Sequence, residues 1–219
     1  MKKYFKAFEV VEVQKTFYKP PTLETAKKWR KEAPNSFEFT IKAWQVITHP
    51  PSSPTYRKAK LDVKDGGFFK PIKEVFEAWQ ATRDFAKELK AKFVVFQTPS
   101  RFKESDDNIK NMKEFFNSIE REFTFGWEPR GWSEEGAKKV CEELDLVHIV
   151  DPFVSKPLHG EIFYFRLHGF NYKHKYTDDE LKWLANYCLD LKKEGYIMFN
   201  NIYMFDDANR FRNFVKSRE

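Results

Sequence analysis

The sequence predicts a parallel α/β fold, and three observations carry that expectation. Seven short runs rich in β-branched and aromatic residues alternate with segments of helical periodicity. Polar or charged residues fall late in all seven runs, as they do where the carboxyl ends of parallel strands build a site. The composition is that of a packed chain, with 219 residues, 41% hydrophobic and 18% aromatic, including 24 phenylalanines. That length predicts a single domain over residues 1–219.

The first run, Phe8 to Gln14 (FEVVEVQ), reads as a strand. Pro20 and Pro21 close a loop, and Thr22 caps a helix running to about Ala33. Phe37 to Trp44 (FEFTIKAW) is the second strand. Residues 50–70, with Pro50, Pro51, Pro54, Gly66 and Gly67, read as a long loop that would close over a ligand. Pro71 suits the first position of a helix whose stripe of Ile72, Val75, Phe76, Trp79, Ala86 and Leu89 faces a core. Phe93 to Pro99 is the third strand, and Ser105 opens a helix with Ile109, Met112, Phe116 and Ile119 on one side. Phe123 to Arg130 (FTFGWEPR) is the fourth strand, and Ser133 opens the helix that follows. Leu146 to Phe153 (LVHIVDPF) is the fifth, followed by a loop bearing Pro157 and Gly160.

The sixth strand, Glu161 to Gly169 (EIFYFRLHG), ends in charge. Side-chain alternation puts Tyr164, Arg166 and His168 on one face and Phe163, Phe165 and Leu167 on the other. A cation and an imidazole closing an apolar strand are costly without partners, so they mark a site. Thr177 and Glu180 form a capping box for a helix reaching Gly195. Tyr196 to Tyr203 (YIMFNNIY) is the seventh strand, and Asp206 or Asp207 starts a last helix with Phe211, Phe214 and Val215 inward.

The strand ends supply the candidate site. Glu12, Lys42, Gln97, Glu128, Arg130, Asp151, Arg166, His168, Asn200 and Asn201 all fall late in their strands. Glu128 or Asp151 would act as general base, with His168 as acid partner or electrophile. Lys42, Arg130 and Arg166 would hold a carboxylate or phosphate, since guanidinium pairs bidentately with such groups. Glu12, Gln97, Asn200 and Asn201 would complete the binding set, with His49 of the Thr-His-Pro turn and Tyr18 at the rim. His148 has the opposite strand parity to Asp151 and should face the helices. Trp44 and Trp132 read as packing or as stacking platforms. No cofactor is predicted. Glu12, Glu128, Asp151 and His168 are the residues that would hold a divalent cation, but Arg130 and Arg166 on the same faces would repel one.

The segments VEVQKTFYKPP, FEFTIKAWQVITHP, FQTP, EPRGW, YFRLHG and MFNN, in that order from about residue 4 to residue 208, resemble the YecE-like family (domain of unknown function 72). The resemblance implies a TIM-type (β/α) barrel and no established activity. Gln14 stands where that family usually has Asn, and Pro129 where it usually has Leu. The family's opening VGTSG-like strand is absent before Lys3, leaving seven predicted parallel strands. A closed barrel has eight. The first and last strands are therefore expected to be open edges that invite a homo-oligomer, the expected cause being a start codon placed too late.

The remaining expectations concern partners and compartment. The net charge of +6 is spread over Lys- and Glu-rich helices, a solvated surface that also resembles thermophilic composition. A small-molecule ligand is expected, with nucleic acid as the second class and a non-catalytic ligand-binding barrel as the third. No apolar run approaches a membrane span, and no signal-like segment follows Met1. Cys141 and Cys188 sit at apolar helix positions, as in a reducing cytoplasm.

Overall fold

A computed structural model describes residues 1–171 and 173–216. In chain order the elements are α1 (Lys2–Ala7), β1 (Val10–Val13), α2 (Lys15–Tyr18), α3 (Leu23–Glu32), β2 (Glu38–Lys42), α4 (Gln45–Thr48), α5 (Pro54–Ala59), α6 (Lys73–Leu89) and β3 (Phe93–Gln97). Then follow α7 (Asp106–Asn117), β4 (Thr124–Glu128), α8 (Glu134–Leu144), β5 (Val147–Val150), β6 (Phe163–Leu167), α9 (Asp178–Asp190), β7 (Gly195–Phe199) and α10 (Met204–Lys216). Seven parallel strands alternating with helices place the chain in the α/β class of TIM-type (β/α) folds. The chain falls into two compact units, Met1–Leu146 and Val147–Glu219.

In the first unit β1 to β4 pair in parallel in sequence order. The register sets Glu12 opposite Thr40, Lys42 opposite Val95, and Gln97 opposite Glu128. Because faces alternate, Glu12, Thr40, Lys42, Gln97 and Glu128 share one side of this sheet. Phe39, Ile41, Val94, Phe96, Phe125 and Trp127 share the other, and all six are buried. Trp79 of α6 and Phe116 of α7 meet that second side, with ring centroids 6.0 and 5.1 Å from Phe96. Apolar burial against the helices thus turns every polar strand residue of this unit to one face.

Residues 50–70 differ from the expected loop. They carry α5, and both ends are pinned: the Tyr56 hydroxyl donates to the His49 carbonyl at 2.9 Å, and Phe69 is fully buried among Phe96, Phe102, Phe115 and Phe116. Gly67 adopts φ +80°, and a Cβ there would lie 2.4 Å from the His49 carbonyl carbon. Through Tyr56 and Gly67 the segment braces the turn at His49. Turning the chain to bury Phe69 also delays α6, which begins at Lys73 after the cap Ile72 and not at Pro71.

In the second unit β5, β6 and β7 pair in parallel. Phe163, Phe165 and Leu167 pack with Val150, Leu181, Leu184 and Phe211, which leaves Tyr164 and Arg166 on the opposite face. The predicted capping box forms: the Thr177 hydroxyl accepts from Glu180 N, and the Glu180 carboxylate accepts from Thr177 N at 2.7 Å. The helix it starts ends at Asp190 rather than reaching Gly195. Gly195 instead opens β7 against Phe163, where a Cβ would lie 2.4 Å from the ring.

Candidate active site

The first unit joins four of the predicted residues into one row. Lys42, last residue of β2, donates from Nζ to Gln97 Oε1. Gln97 Nε2 donates to Glu128 Oε1 at 2.7 Å, and Arg130 Nη2 reaches the same oxygen at 3.4 Å. Lys42, Gln97 and Glu128 are 6–7% exposed, so water does little to screen the charges among them. Arg130, its side chain 48% exposed, is the solvent end of the row. Glu12 is buried on the same sheet face and accepts from Gln14 at the strand end. The Lys42 ammonium also lies 3.8 Å from the centroid of the buried Phe17 ring.

The turns after β1 and β2 hold this row in place. Thr16 donates to Val13 O at 2.8 Å and to Lys42 O at 2.7 Å, fastening the two strand ends together. The Tyr18 carbonyl accepts from Trp44 Nε1 at 3.0 Å and from Gln45 Nε2 at 3.2 Å, while its hydroxyl accepts from Lys58. Trp44 is thus engaged in positioning Tyr18. Trp132 packs against Phe102 and donates to its carbonyl at 2.7 Å, a packing role.

His49 sits among these cations. Its Nδ1 is 2.8 Å from the Thr48 hydroxyl, and the Phe17 ring meets it edge-on at 4.9 Å. Burial, then the charges of Lys42 and Arg130, pull its pKa down to about 3. His49 is therefore a neutral imidazole across the physiological range. Sequence reasoning placed it at the rim without this electrostatic setting, which depends on contacts distant in the chain.

The second unit makes its own cluster. The Asp151 carboxylate accepts from His168 N at 2.9 Å and from Phe153 N at 3.1 Å, so it fixes the backbone after β6 as well as carrying charge. The Asn200 amide nitrogen is 3.1 Å from His168 Nδ1 and sets the ring's rotation. Arg166 is buried on the face opposite the core cluster. Asn201 bonds elsewhere, donating to the His174 carbonyl and to Asp207 Oδ2, both at 2.7 Å. His148 faces away from these groups and accepts from Leu158 N at 3.3 Å; burial lowers its pKa to about 4.

Among the described residues no group of three or more His, Cys, Asp or Glu side chains is placed to hold a metal ion. No helix among them is long and apolar enough to cross a membrane. Cys141 and Cys188 are free thiols, both pushed up to about 12 by burial.

Comparison with known proteins reaches the same fold. The family model described as "Protein of unknown function DUF72" matches residues 1–218. A DUF72 family protein from Thermotoga maritima superposes with a TM-score of 0.72 at 22% identity, covering 98% of this chain and 88% of that one. One from Enterococcus faecalis gives 0.77 at 17% identity, covering 98% and 87%. The IolI protein, solved with a binding zinc atom, gives 0.56 at 9% identity, covering 99% and 88%. At these identities the likeness shows the fold alone. No curated protein matches the chain.

Proposed function

The chain belongs to the DUF72 family, whose function is unknown, and from that premise we propose an enzyme acting on a small polar, anionic metabolite by isomerase, lyase or hydrolase chemistry. The observation that supports this reading is the row Lys42–Gln97–Glu128–Arg130 at the carboxyl ends of β2, β3 and β4. Burying charge is expensive, and buried ion pairs gain little over apolar packing, so a scaffold alone has no need of the row. Arg130 meets the ligand's carboxylate or phosphate from the solvent side, and Lys42 adds a second positive charge. Glu128, oriented by two donors, is the general base. Neutral His49 donates or accepts a hydrogen bond without adding charge.

In the second unit Asp151 is the alternative base and His168, its ring set by Asn200, the acid or electrophile. Arg166 is a further anion-holding cation there. The reaction in this reading uses no metal. Two free thiols, Cys141 buried and Cys188 half-buried, suit a reducing cytoplasmic setting.

A second reading, a protein that binds nucleic acid, draws on exposed Lys15, Lys19, Arg57 and Lys58 on and beside α2 and α5, with Tyr18 beside Lys58. A thermal-shift screen with organic acids, phosphorylated sugars, nucleotides and divalent metals tests both. Stabilisation by one small anion, weakly dependent on salt, supports the enzyme reading. Affinity only for oligonucleotides, falling steeply with salt, replaces it with the second. Binding without turnover of any such anion would make the protein a ligand carrier.

A further inference from the structure

We propose that Lys42 forms a Schiff base with a carbonyl group of the anionic substrate, an inference that rests on reading the row at the ends of β2, β3 and β4 as an anion site. A lysine serving only to attract an anion works best with its ammonium hydrated and its stem free. Lys42 is instead 6% exposed, its nitrogen held by the Gln97 amide oxygen and lying 3.8 Å from the centroid of the Phe17 ring. Burial is the setting in which a lysine amine acts as a carbonyl nucleophile, while the ring and the amide oxygen fix where its nitrogen sits. Gln97 passes its own N–H to Glu128 Oε1 at 2.7 Å, so a proton-transfer group stands one amide away from the amine. Arg130 reaches the same carboxylate oxygen from the solvent side. Amine, carboxylate and guanidinium are the three groups that an α-oxo acid or a phosphorylated ketone needs: a nucleophile, an acid/base and an anchor.

The step balances without an oxidant or reductant. The Lys42 ammonium gives one proton to Glu128, and the freed lone pair attacks the carbonyl carbon while the C=O π pair moves to oxygen. A proton passes from nitrogen to that oxygen, giving the carbinolamine. Glu128 then returns its proton to the hydroxyl, which leaves as water, and the nitrogen lone pair closes the iminium bond. The iminium withdraws electrons from the neighbouring carbon and so favours proton loss or carbon–carbon cleavage there, which narrows the proposed chemistry to isomerase or lyase types.

Reductive trapping tests this on the unmodified protein. The chain is incubated with pyruvate, glyoxylate or glycolaldehyde phosphate, reduced with borohydride, digested and mapped by mass spectrometry. The expected result is an adduct at Lys42 carrying the mass of the probe less one oxygen atom, formed at least about tenfold faster than at exposed lysines such as Lys15 and Lys58. Arg130→Ala should slow trapping of the anionic probes far more than trapping of uncharged acetaldehyde. Lys42→Met, if folded, should lose the adduct; the wild-type map decides the matter if it is not. Label spread only over exposed lysines overturns the proposal. Should a carbonyl-free anion nevertheless bind in the thermal-shift screen, the anion site survives and the Schiff base alone is rejected. If no anion binds and no adduct forms, both fail.

Discussion

His49→Gln should remove part of the acid sensitivity of this protein. Protonation of His49 is suppressed in the folded chain to about pH 3, whereas the unfolded imidazole titrates near 6.5. Below 6.5 the unfolded state therefore binds more protons, and stability falls as pH falls until the folded value is reached. His148, lowered to about 4, contributes with the same sign. At pH 5 an imidazole held neutral in the fold costs about 2 kcal/mol relative to high pH, so the two together cost about 4 kcal/mol. That is a large share of a typical domain's stability. Glutamine keeps a hydrogen-bonding group beside Thr48 but has no proton to gain. Urea unfolding at pH 7.5, 6 and 5 should show wild type losing about twice as much stability over this range as His49→Gln. Parallel pH curves for the two proteins would refute the placement of a neutral His49 beside Lys42 and Arg130.

The other predictions use different measurements. Asn201→Ala should destabilise the fold by about 1–3 kcal/mol in urea unfolding, because it strips a buried donor from Asp207 and from the His174 carbonyl. A change within error would show that those bonds contribute nothing. Elemental analysis after mild purification should find no stoichiometric zinc, manganese or iron; one equivalent of any of them would reject the metal-free chemistry proposed.

Much of the fold was legible because one physical pattern repeats. Near their carboxyl ends several strands set a polar residue beside a buried aromatic one, and burial of the aromatic fixes the direction of its neighbour, as with Phe96 against Gln97 and Phe165 against Arg166. The caps at Thr22, Ser105, Ser133 and Thr177 were readable because their oxygens bond within the next turn. Helices α2, α4 and α5 were not, since four to six residues carry no periodicity and form only through tertiary packing. The bracing of His49 by Tyr56 and Gly67 was hidden for the same reason. Asn201 shows the limit at the site: its position after β7 matches Asn200, yet its amide turns to Asp207, a bond set by where α10 docks.

Isothermal titration calorimetry on Glu128→Gln and Arg130→Ala, with the anion found by thermal shift, tests the central claim most directly. Both side chains meet at one carboxylate oxygen, and neither is part of an apolar core. Each variant should keep its fold. Losing a charge-assisted contact should weaken binding by about 1.5–3 kcal/mol, which is roughly tenfold to more than a hundredfold in Kd. Wild-type affinity in both folded variants would contradict the account and place the ligand somewhere other than the row from Lys42 to Arg130.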